Sequence, residues 1–189
     1  MKRLFFIILI SCSFQVLSGQ KLDFYREDLR FSLESEYFLV EGDYFFRNNT
    51  NQNVSQLMRY PFPDSGKYGK VDSVYCIEAL TGEDCMIGEN NGKWIMFRVN
   101  VPAKDTAKYV IGYRQQTKGN EALYILTTTQ NWGKPFEYVS YRLSVNGLAV
   151  DSLSYIPDKV SISGDNTIFY WEKRDFMPRR DFVVQFTRK

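Results

Sequence analysis

The stretch "FYWEKRDFMPRRDFVVQF", residues 169–186, packs six aromatic and four cationic side chains into eighteen positions. It reads either as a basic, aromatic surface for a nucleic acid or glycan, or as two core strands joined by a polar loop. Extended by two residues, "TIFYWEK" sets Phe169 and Trp171 on one face and Ile168 and Tyr170 on the other. A strand apolar on both faces is a central one, covered on both sides or nearly so. "DFVVQFT" places Phe182, Val184 and Phe186 on one face, with Asp181, Gln185 and Thr187 on the other. Between them Pro178 fixes a turn. The charges nearly cancel, because Lys173, Arg174, Arg179 and Arg180 meet Glu172, Asp175 and Asp181. The stretch is two core strands and a loop.

The same alternation recurs upstream. "LRFSL" alternates Leu29, Phe31 and Leu33 against Arg30 and Ser32, and "FLVEGDYFF" spaces Phe38, Val40, Tyr44 and Phe46 evenly. Gly42 between them marks a bulge or a close approach. "QLMRYPF" ends at Pro61 and Pro63, "ENNG" at 89–92 is a hairpin turn, and "KWIMFRVNVP" alternates cleanly from Ile95 to Val101. "KYVIGYR", "ALYILTTT", "EYVSYRLSV", "VDSLSYI" and "KVSIS" continue in kind. The 31 aromatic residues among 189 suit a pleated, half-buried sheet surface. About a dozen short strands with no helical segments between them imply an all-β fold, an antiparallel β-sandwich in a single domain over residues 20–189.

"MKRLFFIILISCSFQVLSGQ" has the layout of an export signal, with cationic Lys2 and Arg3, an apolar run Leu4–Ile10, and small residues Ser18 and Gly19. The favoured reading is cleavage near Gly19, making residues 1–19 a signal peptide. The alternative is lipidation at Cys12 within "LISC", which would make 1–11 the leader and Cys12 a membrane anchor. Either way the expected location is the periplasm or the exterior. Of 24 basic and 22 acidic residues, loss of Lys2 and Arg3 leaves 22 against 22. A neutral mature chain lacks the basic excess of a nucleic-acid binder. Cys76 and Cys85 flank a Thr81-Gly82 turn, and nine residues apart across a hairpin they are expected to form a disulfide. Two buried thiols are the alternative, and a metal pair would need a second ligand cluster.

The chain has no histidine, which removes Ser-His-Asp and Cys-His nucleophiles and nearly every catalytic zinc site. "GKYGK" at 66–70 lacks phosphate-loop spacing. No cofactor or metal site is expected. A carboxylate pair of the glycosidase kind could draw on Glu121, Glu137, Glu172 or Asp175, but strand ends carry such solvated acids in any sandwich. Asn48 and Asn53 fit the glycosylation pattern and read as turn residues. The least ordinary local chemistry is "TTTQNWGKPFEY", where Trp132 stands in a turn. Trp132, with neighbouring tyrosines such as Tyr138, could stack on a sugar ring. Trp132 could instead fold back as an apolar lid on the sandwich end, and that reading is preferred.

The order "VEGDYFFRNNT", "YPFP", "YVIGYRQ", "LYILTTTQNW" and "WEKRDFMPRRDFVVQF" resembles a bacterial family of exported proteins classed as a domain of unknown function. The matching features are the step Phe46-Arg47-Asn48, the run Thr127–Trp132, and the spacing of Trp171, Phe176, Pro178 and Asp181. The chain departs from that pattern at Thr129, where a glycine is expected. The resemblance implies a secreted β-sandwich and attaches no activity. The resulting expectation is an exported, non-catalytic module that binds or scaffolds a cell-envelope protein or glycan. The alternative is a carbohydrate-binding module built on Trp132. Contact with a membrane is expected only through Cys12.

Overall fold

The computed structural model describes residues 22–89 and 92–188. The leader, with Cys12, lies outside the described residues, as do Asn90 and Asn91 of the expected turn. The two longest strands come first, β1 (Leu22–Leu33) and β2 (Tyr37–Asn48). There follow β3 (Val54–Pro61), one helical turn (Ser65–Tyr68), β4 (Val71–Glu78), β5 (Met86–Glu89), β6 (Trp94–Val101) and β7 (Thr106–Gln116). After β8 (Glu121–Tyr124) comes a 3₁₀ turn (Thr127–Trp132). The chain ends with β9 (Phe136–Asn146), β10 (Leu148–Leu153), β11 (Lys159–Ser163), β12 (Asn166–Phe176) and β13 (Phe182–Arg188).

The fold is the expected all-β sandwich. One layer is a seven-stranded sheet ordered β11-β12-β9-β1-β2-β7-β4; the other is split into two three-stranded sheets, β10-β13-β8 and β3-β6-β5. Stacked and edge-on ring pairs join the layers on each side of the split. Phe182 lies 4.5 Å from Phe31 and 5.1 Å from Trp171, while Phe62 lies 5.0 Å from Tyr113. Each aromatic pair adds roughly 1 kcal/mol to the burial of its area.

Two features revise the strand-by-strand reading. β1 and β9 run parallel, from Arg26 beside Tyr138 to Leu33 beside Val145, so the large sheet is mixed. Alternation reports which way a side chain faces and carries no information on pairing direction. β12 lies second from an edge rather than at the centre. Trp171 is buried, but Ile168, Phe169 and Tyr170 are half-buried, and the neighbouring edge strand β11 is exposed throughout.

Cys76 and Cys85 form the expected disulfide, with their Cα atoms 5.6 Å apart. The hairpin turns at Gly82, where φ is +74°, a value glycine adopts without a side-chain clash. Cys76 sits on β4 of the large sheet and Cys85 just before β5 of a small one. The bond therefore ties the two layers together at one margin.

Candidate functional site

The site begins with a change of phase in β1. Leu22 and Phe24 are buried, and simple alternation would next send Arg26 and Asp28 inwards. A β-bulge between Phe24 and Arg26, opposite Phe45 and Phe46 of β2, inserts one extra residue. After it the inward set is Glu27, Leu29, Phe31 and Leu33. Arg26 and Asp28 point outwards and pair with one another at 2.6 Å. Bulges commonly re-aim side chains in this way. Here the re-aimed residue is a carboxylic acid.

Glu27 is 1 % exposed and, among the described residues, the only buried acid. Burying an ionised carboxylate is costly, so the group keeps its proton instead. Desolvation pushes the Glu27 pKa up to about 8, with Asp28 adding to the rise and a hydrogen bond from Tyr141 opposing it. That bond, Tyr141 Oη–H to Glu27 Oε1, spans 2.6 Å.

Three further phenols gather nearby. The Tyr44 hydroxyl lies 2.9 Å from those of Tyr60 and Tyr124, bringing β2, β3 and β8 together. Tyr44 reaches this point because its ring lies back over Gly42. A Cβ at that position would stand 2.4 Å from the Tyr44 oxygen. The sequence reading of Gly42 as a close approach therefore holds, and the bulge falls on the partner strand. Burial raises the pKa of Tyr44, Tyr60, Tyr124 and Tyr141 above the ordinary phenol value, so all four stay protonated.

Glu27, Tyr44, Tyr60 and Tyr124 border a cavity of about 350 Å³, with Tyr141 behind Glu27. It lies on the inner face of the large sheet, at the seam where the second layer is split. Phe24, Tyr44 and Ile111 come from the large sheet, Met58 and Phe97 from one small sheet, Tyr124 from the other, and Thr129 and Trp132 from the 3₁₀ turn. An apolar wall with a few convergent polar groups is the usual form of a small-molecule site. Two larger hollows, of about 740 Å³ beside the disulfide and about 550 Å³ on the outer face of the large sheet, contain no buried carboxyl group.

Trp132 forms part of the cavity's rim. It is half-buried, with its ring 5.5 Å from Phe24 and 5.8 Å from Phe46. The run Thr127–Thr129, read from sequence as the end of a strand, is the start of the 3₁₀ turn. The Asp181 carboxylate accepts from the Leu126 and Thr127 backbone N–H groups and from the Thr127 hydroxyl. Thr129 Oγ1 donates to the Leu126 carbonyl, and Gln130 Nε2 to that of Pro178. Local bonds of this kind divert Thr-rich segments from strand pairing. The motif residues Asp181 and Pro178 thus anchor the turn that carries Trp132.

Tyr138 is elsewhere. It lies on the outer face of the large sheet, its ring 5.2 Å from the Arg26 guanidinium and 5.4 Å from that of Arg174. The structure does not bring Trp132 and Tyr138 into one site. Glu137 pairs with Arg47 on that outer face, whereas Glu121 of a small sheet pairs with Lys67 at 2.8 Å. Glu172 and Asp175 are exposed on β12. Asn48 is buried and donates to the carbonyls of Gln52, Val101 and Pro102, organising the loop after β2. Among the described residues, no group of three or more Cys, Asp or Glu side chains is placed to hold a metal ion.

Sequence reasoning missed Glu27, Tyr44, Tyr60, Tyr124 and Tyr141. The legible signal was the phase slip from Phe24 to Leu29, which forces one polar residue inwards.

Residues 104–184 match the family model of a domain of unknown function, DUF4424, in line with the resemblance seen in the sequence. The matched segment holds Tyr124, Trp132, Tyr141 and Asp181; Glu27, Tyr44 and Tyr60 precede it. No curated protein matches the chain. Among solved structures, a Legionella pneumophila protein provisionally described as nutrient binding is similar, with a TM-score of 0.66 and 18 % identity. The match covers 89 % of this chain and 68 % of that one. An M1 zinc metallopeptidase from Deinococcus radiodurans has a TM-score of 0.53 and 9 % identity, over 88 % of this chain and 42 % of the peptidase. At these identities the likeness concerns the fold. The chain spans less than half the length of the peptidase.

Proposed function

We propose that this protein is a non-catalytic binding module of the bacterial cell envelope, and that it takes a small molecule into the seam cavity beside Glu27. One observation carries this reading: an aromatic-walled space whose polar groups, a carboxyl and three phenols, converge from four different strands. Assembling so many polar groups next to empty volume gives no packing benefit, since cavities and buried acids both lower stability. The nutrient-binding description of the Legionella neighbour points the same way. The disulfide is in keeping with an oxidising compartment.

The test is a thermal-shift screen of small metabolites against the protein, repeated with Trp132→Phe and Glu27→Gln. Stabilisation by a compound that depends on either residue supports the reading. No response from any compound sinks it. The mass of the N-terminal peptide from the exported protein reports cleavage near Gly19 or lipidation at Cys12.

A second reading, a glycan stacked on the rim, rests on the part of Trp132 that remains exposed. Under it soluble polysaccharides would quench Trp132 while small metabolites would not. Tyr138, on the other face, would take no part.

A further inference from the structure

We infer that the ligand of the seam cavity is a small organic amine, whose ammonium group is held by Glu27 and the surrounding phenols and whose apolar body lies against the aromatic wall. This rests on the cavity being the binding site. Glu27 is buried, borders the cavity, and belongs to none of the ion pairs among the described residues. The charge acting on it is that of Asp28, which is negative and lies on the outer face. The groups that face it from other strands are Tyr44 of β2, Tyr60 of β3, Tyr124 of β8 and Tyr141 of β9. Tyr44, Tyr60 and Tyr124 border the cavity and are neutral oxygens able to accept from an N–H. Arg59, the one cation of the cavity wall among the described residues, is exposed, with its guanidinium 5.8 Å from the Trp94 ring centroid.

The site therefore suits an ammonium better than an anion. A carboxylate supplies the counter-charge, phenol oxygens accept the remaining N–H bonds, and ring faces attract a cation through their quadrupole. The remaining wall, with Phe24, Met58, Phe97 and Ile111, suits a hydrocarbon or aromatic body. A carboxylate ligand would meet a second acid, and the wall's cation, Arg59, lies exposed beside the Trp94 ring.

Binding of an ammonium requires Glu27 to give up its proton. With the folded pKa pushed up to about 8, affinity rises with pH towards that value and then levels. Linkage of one proton to one ligand sets the limit at about tenfold per pH unit.

The experiment is calorimetric titration of the protein with three probes of one shape: phenethylamine, phenethyl alcohol and phenylacetate. The expected result is binding of the amine at least about tenfold tighter than the alcohol, with no binding of the acid. Affinity for the amine should climb between pH 6 and 8. Glu27→Gln should erase both the amine preference and its pH dependence. If that variant does not fold, Tyr124→Phe serves, and should weaken the amine severalfold. Equal binding of amine and alcohol, or tighter binding of the acid, overturns the amine assignment and leaves the cavity as the site. Failure of all three to bind, in a protein that the metabolite screen stabilises, likewise overturns it. Failure in both experiments removes the cavity reading as well.

Discussion

Tyr141 of β9 donates its phenolic proton to the carboxyl of Glu27 on β1 across 2.6 Å, within the parallel pair of the large sheet. Neither side chain is exposed, so the bond fixes the orientation of an acid that would otherwise be unanchored at the floor of the cavity.

That acid makes stability pH-dependent. Glu27 holds its proton up to about pH 8 when folded and only to about 4.5 in an unfolded chain. The folded state thus binds the extra proton between those values. The stabilisation is complete below about pH 4.5 and is lost as pH rises through 8, by a few kcal/mol as an order of magnitude. Urea midpoints measured from pH 5 to 9 should fall accordingly, and the Glu27→Gln variant should show a flatter profile.

Gly42 is a packing requirement for Tyr44. Gly42→Ala would set a methyl group 2.4 Å from the Tyr44 oxygen, inside van der Waals contact. The ring must move, breaking its bonds to Tyr60 and Tyr124, at an expected cost of roughly 1–3 kcal/mol. In a Tyr44→Ala background the same substitution should cost much less. The double-mutant cycle measures the difference.

Replacing Trp132 tests the rim. Trp132→Ala removes contacts with Phe24 and Phe46 and should lower stability by about 2 kcal/mol, whereas Trp132→Phe should lower it by less than half of that. Thermal unfolding of both variants checks the ratio. Equal losses would mean that the indole is not packed on the core.

Asp181 holds the turn that presents Trp132. Asp181→Ala leaves the Leu126 and Thr127 N–H groups without their acceptor and should cost about 1–2 kcal/mol, with Asp181→Asn restoring most of it. Hydrogen exchange at residues 126–132 should quicken in the alanine variant alone.

The disulfide closes a short loop, so its entropic effect is modest. Cys76→Ala with Cys85→Ala should lower stability by about 2–3 kcal/mol without changing the fold. Far-ultraviolet circular dichroism and denaturant midpoints separate the two effects.

The cavity was less legible than the strands around it. Trp132 stood out because it occupies a turn, and its ring lies beside Phe24 and Phe46. Tyr138 stood out for being near in sequence, yet it lies on the opposite face of the large sheet. Neighbouring residues in a strand region need not share a face, and only the register of β9 against β1 decides where Tyr138 sits. Glu27 drew no notice because "REDLR" looks like an ordinary solvated run.

What the sequence determined by itself is local. Period-two alternation marked most of the strands and the buried side of those such as β13, whose Phe182, Val184 and Phe186 are fully buried. Cysteine spacing across a glycine turn pointed to the Cys76–Cys85 bond that the structure contains. The tertiary structure decided what depends on pairing between distant segments. It chose the parallel union of β1 and β9, the split of the second layer, and the bulge that turns Glu27 inwards. Alternation is a property of one strand, whereas a cavity is a property of the several strands that fail to close over it.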